Sequence, residues 1–448
     1  MMKKSLFATA LFFLTFFLFA GEFRIVATSD LHGDLRNFSA LAPVIRRAQA
    51  DLIMDAGDLT GANLLAELDG GKTMIKALNK LNYRFRVPGN HDFEQSYSNF
   101  VSQHRSFDGV TLGADWEWGE TGGELCRVVR KGDFKIGIIG LTEPNVARRH
   151  LPGADSPRSM NWEIVMADAL RKLNEEKVHC IALIWHWGVD NPRQGARQIV
   201  RLFPQIHLVI GGHSHKEVAG VRQRQTYFVQ PGSHGSSAVL TKVFYNDKTF
   251  QVERIESALL RGEPGKTAPD IDALSNSAFQ QYRKEIFRKV CRKGDLSLRN
   301  FPRLGAEALR RAGNTQGAVF TSFIPDPGSA QGTLYKDLFR LLPYRNTLCT
   351  VELTRQELRE LLEDLHRNSR KFKRIVGVAG FQWSPGNGRR KGVLKAPEKI
   401  SVTVSNYVMT SSPVLKRMLH DTGRWQQVGL TERGVVCRYL EEQLRKKR

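Results

Sequence analysis

Between residues 22 and 255, short apolar runs closed by Gly, Asp or His alternate with segments whose apolar residues recur at helical spacing. The strand-like runs are "FRIVATSD", "DLIMDAGD", "FKIGIIGLT", "HCIALIWHWG" and "HLVIGGHSH". Between them, a stretch near Leu41 to Ala50, "GKTMIKALNKL", "WEIVMADALRKLNEE" and "RQIVRLF" have helical spacing. Buried strands interleaved with amphipathic helices predict a layered α/β domain, and "TYFVQPGSHGSSAVLTKVFY" predicts a strand-rich end to it near residue 255.

The Pro/Gly-rich "RGEPGKTAPDID" breaks this pattern and marks a linker, which "NSAFQQYRKEIFRKVCRK" continues as a connecting helix, so residues 256–299 join two domains. A second, α+β domain is expected over 300–448. Its helices are "AEALRRAG", "LYKDLFRLL" and "TRQELRELLEDLHRN", and its strands "GAVFTSF" and "KISVTVSNYVMT". The basic runs "NSRKFKR" and "SPGNGRRKG" read as solvated loops.

Lys3 and Lys4 precede an apolar run, Leu6 to Ala20, too short to span a bilayer comfortably and followed by polar chain, the pattern of a cleaved export signal over residues 1–20. No later run is long enough for a membrane helix, so a soluble periplasmic or extracellular protein is expected. Of the net charge of +22, +17 lies beyond residue 255. That favours anionic partners such as phosphate esters, nucleic acid or acidic membranes, and a merely solvated basic face explains it equally well. Five Cys residues without a CxxC pair support neither a zinc ribbon nor a dithiol redox motif; an exported protein could form one or two disulfides whose pairing the spacing does not assign, and lone buried thiols are expected for most of them.

The chemistry gathers at the ends of the strand-like runs. Asp30 and His32 end the first, Asp58 the second, Asn90 and His91 follow a third, His186 ends another, and His213 and His215 the last. Loops leaving the carboxyl ends of strands open into one crevice, so these residues should converge. Carboxylate, imidazole and amide oxygen suit Mn, Zn, Fe or Co better than a thiolate metal, and an Asp can bridge two such ions about 4 Å apart. Neighbouring Gly33, Gly57, Gly89, Gly211 and Gly212 allow tight turns beside them.

In this order DxH, GD, GNH[DE], H and GHxH resemble the calcineurin-like metallophosphoesterase pattern, and the wider chain is similar to the secreted bacterial 5'-nucleotidase family. The resemblance implies an α/β, four-layer β-sandwich flanked by helices over 22–255 and a 5'-nucleotidase-like substrate domain over 300–448. It implies that Asp30, His32, Asp58 and His215 hold one divalent metal and Asp58, Asn90, His186 and His213 a second. His91 matches the family's catalytic His. The family orients that His with an Asp three residues on; here the position is Glu94, and Asp92 is the nearer carboxylate.

The family's second domain sandwiches a base between two aromatic rings. Tyr344 stands in the "PYRN" counterpart of the family's "PFGN", and Tyr407 in "TVSNYVMT" takes the second place. Either ring can stack on a base at about 1–3 kcal/mol, although two tyrosines packed in a core would look the same. The family's "GGDGY" and "GGIR" are replaced by "SSPVL" and "TSFIP", losing an Asp and an Arg, so an intact metal site with an altered substrate grip is expected. The implied activity is phosphate release from nucleotides by a metal-activated hydroxide. Cyclic-nucleotide phosphodiesterases, nucleotide-sugar hydrolases and a thiosulfate-ester hydrolase share the architecture, and a non-catalytic anion-binding protein is the reading from another class. No specific nucleic acid partner is expected.

Overall fold

The computed structural model describes residues 20–113, 115–116, 123–143, 160–191, 195–386, 392–418 and 423–446. The expected export signal, apart from Ala20, lies outside these residues, as does the 387–391 part of "SPGNGRRKG".

The strands of the first domain are β1 (Ala20–Thr28), β2 (Leu52–Asp55), β3 (Phe85–Arg86), β4 (Val110–Thr111), β5 (Cys126–Lys131), β6 (Phe134–Leu141), β7 (Cys180–Trp185), β8 (Leu208–Gly211), β9 (Val218–Gln223), β10 (Thr226–Gln230), β11 (Ala238–Asn246) and β12 (Val252–Leu260). They form two six-stranded sheets, ordered β12-β11-β1-β2-β3-β4 and β5-β6-β7-β8-β10-β9. Strands β1 to β4 run parallel in the first sheet, and β6, β7, β8 and β10 in the second.

Side chains alternate across a strand, and that period builds the layers. Phe23, Ile25 and Ala27 of β1 pack with Ile136 and Ile138 of β6 and Ala182 and Ile184 of β7 in the core between the sheets. Val26 packs instead with Leu41, Ile45, Ile75 and Leu78 from helices Leu35–Arg47 and Lys72–Lys80. Ile139, Leu183 and Trp185 pack with Val165, Met166 and Leu173 of helix Trp162–Glu175. The result is helix, sheet, sheet, helix, the expected four layers.

The boundary lies later than the pattern suggested. β12 continues through Leu260, past residue 255, and the connecting helix starts at Pro269, inside the expected linker. Ala268 and Ile271 are buried with the first domain's helices, which explains the early start: this end of the helix has an apolar face to cover.

The second domain has β13 (Gly317–Phe323), β14 (Thr347–Thr354), β15 (Arg374–Ala379), β16 (Gln382–Ser384), β17 (Val393–Lys395), β18 (Lys399–Ser405) and β19 (Trp425–Thr431). Five of these form a sheet ordered β15-β13-β18-β14-β19. Helices Phe301–Ala312 and Glu432–Arg445 cover one face, and Arg355–Lys371 the other.

Two expectations change here. "KISVTVSNYVMT" is not one strand: the Ser405 hydroxyl accepts from Val408 N and starts helix Asn406–Ser411, which puts Tyr407 in its first turn. "NSRKFKR" is not a loop either. It finishes helix Arg355–Lys371, turns through Lys373 at φ +50°, and starts β15 with Arg374. All five cysteines are free thiols, four of them buried.

Candidate active site

The parallel strands of both sheets deliver their carboxyl ends to one edge, as the crevice rule requires. Asp30 and His32 follow β1, Asp58 follows β2, Asn90 and His91 follow β3, His186 follows β7, and His213 and His215 follow β8. All seven expected ligands meet there. Asp58 Oδ2 lies 3.1 Å from His186 Nε2 and 4.0 Å from His32 Nε2. His32 Nε2 faces His215 Nε2 at 3.0 Å, and His215 Nε2 lies 3.4 Å from Asp30 Oδ1. Asn90 Oδ1 is 2.8 Å from His213 Nδ1.

The turns that aim these groups are made largely by the expected ligands themselves. Asp30, His32, Asp58, His213 and His215 have φ of 51°, 46°, 53°, 71° and 57°, a left-handed conformation costing on the order of 1 kcal/mol or more each. Backbone bonds hold it, with Asp30 N donating to Gly57 O, His32 N to Asp58 O and Gly33 N to Leu59 O. Of the glycines singled out above, only Gly33 and Gly57 have positive φ. Gly89 serves close approach instead, since a Cβ there would fall 2.2 Å from Asp58 Oδ1.

His91 stands beside this cluster, its backbone N–H donating to Asp58 Oδ1 at 2.8 Å. Its Nδ1 meets Glu94 Oε1 at 2.6 Å, so Glu94 and not Asp92 is its carboxylate partner. Asp92 is occupied in bracing the loop, accepting from Thr60 N, Thr60 Oγ1 and Gly89 N. Above His91 opens a cleft of about 450 Å³ between the two domains. Tyr344 and Tyr407 both line it, and the Tyr344 ring stacks on His91 with centroids 5.4 Å apart. Arg374 and Lys416 line it too, the first from the run "NSRKFKR", whose composition alone reads as a solvated loop.

His234 is a further residue that motif reading missed. It follows β10, stacks on His32 at 4.8 Å, and joins His32 and His215 in a group close enough to share one ion. Its place at a strand end in "PGSHG" was the available signal.

Residues 23–217 match the sequence model of the calcineurin-like phosphoesterases, and residues 278–404 that of the 5'-nucleotidase C-terminal domain. The chain belongs to the 5'-nucleotidase family of phosphoester hydrolases. A 5'-nucleotidase of Vibrio cholerae is 21% identical over 437 residues, covering 84% of this chain and 77% of that protein. A trifunctional nucleotide phosphoesterase protein of Bacillus subtilis is 20% identical over 80% of this chain, which spans only 29% of that protein's length. The crystal structure of a 5'-nucleotidase precursor from Thermus thermophilus matches with a TM-score of 0.66 at 17% identity, covering 94% of this chain and 97% of that one, which is a likeness of fold.

The donors of this 5'-nucleotidase family member fit divalent metals. His186 Nδ1 is bonded to Ala56 O at 2.7 Å, which fixes that ring and leaves Nε2 toward Asp58. His186 Nε2 is buried without a hydrogen bond of good geometry, as is His32 Nδ1. Burial opposes ionisation of Asp58, yet His186, His91 and His32 hold it well below the usual carboxylate range. Asp30 is likewise buried yet lowered, chiefly by His215 and His186. Burial brings His32 and His213 down to about 4, leaving neutral imidazoles with lone pairs. Burial also opposes charge on His186, but Asp58 outweighs it and pushes that ring up to about 10. Two ionised, buried carboxylates beside the neutral imidazoles of His32 and His213 make a cation site, in which a bound ion would take the place of the proton that Asp58 favours on His186.

Proposed function

We propose that the protein is an exported phosphomonoesterase, dependent on two divalent metals, that releases phosphate from nucleotides or similar small phosphate esters. One observation carries the reading: Asp58 lies between two sets of donors, with His91 bonded to it on one side and to Glu94 on the other. Asp30, His32, Asp58 and His215 would hold one ion, with His234 within reach, and Asp58, Asn90, His186 and His213 the other. Bound Mn, Zn, Fe or Co would supply Lewis acidity toward a phosphoryl oxygen and toward water.

The chain's own residues do the rest. Glu94 accepts from His91 Nδ1–H, fixing the tautomer or imidazolium in which Nε2 addresses the phosphoryl group and the leaving oxygen. Tyr344 covers the His91 ring and narrows the approach of water to it. Tyr407, across the cleft, is the second ring available to a nucleoside. Export is supported by the apolar run after Lys3 and Lys4. Among the described residues no helix is long and apolar enough to cross a membrane.

The test is hydrolysis by purified protein with added Mn and with chelator, over AMP, a 2',3'-cyclic nucleotide, a nucleotide sugar and an aryl phosphate. Metal-dependent phosphate release from AMP or the aryl phosphate is expected. Preference for the cyclic nucleotide or the nucleotide sugar would reassign the bond cleaved, and silence with metals bound would overturn the phosphoester reading.

A further inference from the structure

We infer that the interdomain cleft binds a second anionic group of the substrate through Arg374 and Lys416, so that the preferred substrates are small phosphate esters bearing a further carboxylate or phosphate. The inference rests on the phosphoester reading for the first anion and goes beyond it in naming what the other end of the substrate carries.

Arg374 begins β15 and pairs across the sheet with Phe323, the last residue of β13. Its guanidinium lies 4.8 Å from the Phe323 ring centroid and 4.2 Å from that of Tyr407, so it is packed against two aromatic rings. Such stacking uses the flat face of the guanidinium and leaves its in-plane N–H donors for a bidentate acceptor. Among the described residues no carboxylate or carbonyl takes them. Lys416, on the same cleft wall, has no ion-pair partner there either.

The cleft has little to neutralise this pair. Glu94 is the one carboxylate among the described residues lining it, and it is engaged by His91 at 2.6 Å. Glu432 lies behind Asn346, buried and accepting from its side-chain amide at 2.9 Å. Arg374 acts on Glu432 through charge alone, with no ion pair between them, so among the described residues both cations lack an ion-pair partner, and with one of them held by aromatic rings they form a prepared anion site.

The same contacts count against a base sandwich. Tyr344 presents a face to His91, with the rings 22° from parallel, and Tyr407 presents one to Arg374. A nucleobase between the tyrosines would have to displace or share those contacts. A short anionic arm reaching Arg374 would leave both in place.

The probes are propylphosphonate, 3-phosphonopropionate and propane-1,3-bisphosphonate, titrated calorimetrically into metal-loaded protein, with AMP as a fourth ligand. Wild type should bind the two doubly anionic probes about tenfold or more tighter than propylphosphonate, the return expected of a charge-assisted, bidentate contact. Arg374→Gln should remove most of that preference, Lys416→Gln part of it, and Arg374→Lys should restore little, because an ammonium cannot stack and fork together. Thermal unfolding of each variant separates lost binding from lost folding. Equal binding of the three phosphonates, or a preference untouched by Arg374→Gln, overturns the inference. So does tight AMP binding that Tyr407→Ala abolishes and Arg374→Gln does not. Turnover of phenyl phosphate and 4-carboxyphenyl phosphate is measured alongside. If neither is hydrolysed while the binding preference stands, the hydrolase reading falls and the anion site remains.

Discussion

Replacing Glu94 tests the catalytic assignment more sharply than replacing His91, because Glu94 is bonded to the imidazole itself and its effect on turnover should run through His91. The His91 Nδ1 to Glu94 Oε1 contact is 2.6 Å, and the two side chains are 16% and 6% exposed, so solvent offers little substitute. A hydrogen bond to a charged group of this kind contributes about 1.5–3 kcal/mol. If it is fully felt in the transition state, its loss lowers kcat about 10- to 150-fold. Glu94→Gln keeps length and one acceptor while removing the charge, and should fall within that range. Glu94→Asp keeps the charge but retracts the acceptor by one methylene, and should recover activity only if the loop can follow. The assay is kcat and KM on the best substrate of the panel, with metal content by elemental analysis and the unfolding midpoint on the same samples. Wild-type kcat in Glu94→Gln would refute the positioning role, and loss of metal would make Glu94 part of the metal-binding frame. Asp92→Asn is the contrasting control: it disturbs the contacts to Thr60 and Gly89, so it should lower the unfolding midpoint.

Four further outcomes follow from the same contacts. His91→Ala should lower kcat about 10²- to 10⁴-fold with metal content normal, and metal loss in that variant would remove His91 from its role. His234→Ala should weaken binding of one ion, read as a shift in one step of a calorimetric metal titration; two unchanged steps would show that His234 holds no ion. Glu67 crosses from the first domain to pair with Arg433, whose guanidinium also donates to the carbonyls of Leu342, Pro343 and Tyr344. Glu67→Gln leaves Arg433 buried without its carboxylate, so a loss of about 1–3 kcal/mol by denaturant unfolding and a raised KM are expected, and unchanged stability would refute the clasp. Burial pushes Glu432 up from 4.5 to about 7, against Asn346, Arg374 and Arg433, which favour its ionised form. A raised acid contributes stability that is full below about 4.5 and lost as pH rises through about 7, so Glu432→Gln should flatten the fall in unfolding midpoint between about pH 5 and 8. A wild-type slope in that variant would refute the assignment.

What was legible in the chain was the arrangement a parallel sheet imposes. Ligands at strand ends converge whatever the details of the loops, so Asp30, Asp58, His186 and His213 could be placed from order alone. The conformation that aims them could not. Five of the expected ligands adopt positive φ without being glycine, a conformation that propensity argues against and only the surrounding hydrogen bonds enforce. The choice between Asp92 and Glu94 was likewise settled by a tertiary contact, since Thr60 and Gly89 claim Asp92 first.

Arg374 shows the same limit on the substrate side. A run with four basic residues in seven reads as solvated chain because most such runs are, and nothing local distinguishes Arg374 from Lys371 or Lys373. The difference is made by Lys373, which turns the chain at φ +50° and hands Arg374 to a strand whose neighbour ends in Phe323. "TSFIP" reads as the loss of an arginine when taken alone. Set beside β15, it becomes the aromatic floor for an arginine supplied by the next strand. On this proposal substrate choice turns on strand pairing, which is why the cluster of candidate metal ligands could be read residue by residue while the proposed anion site had to be built.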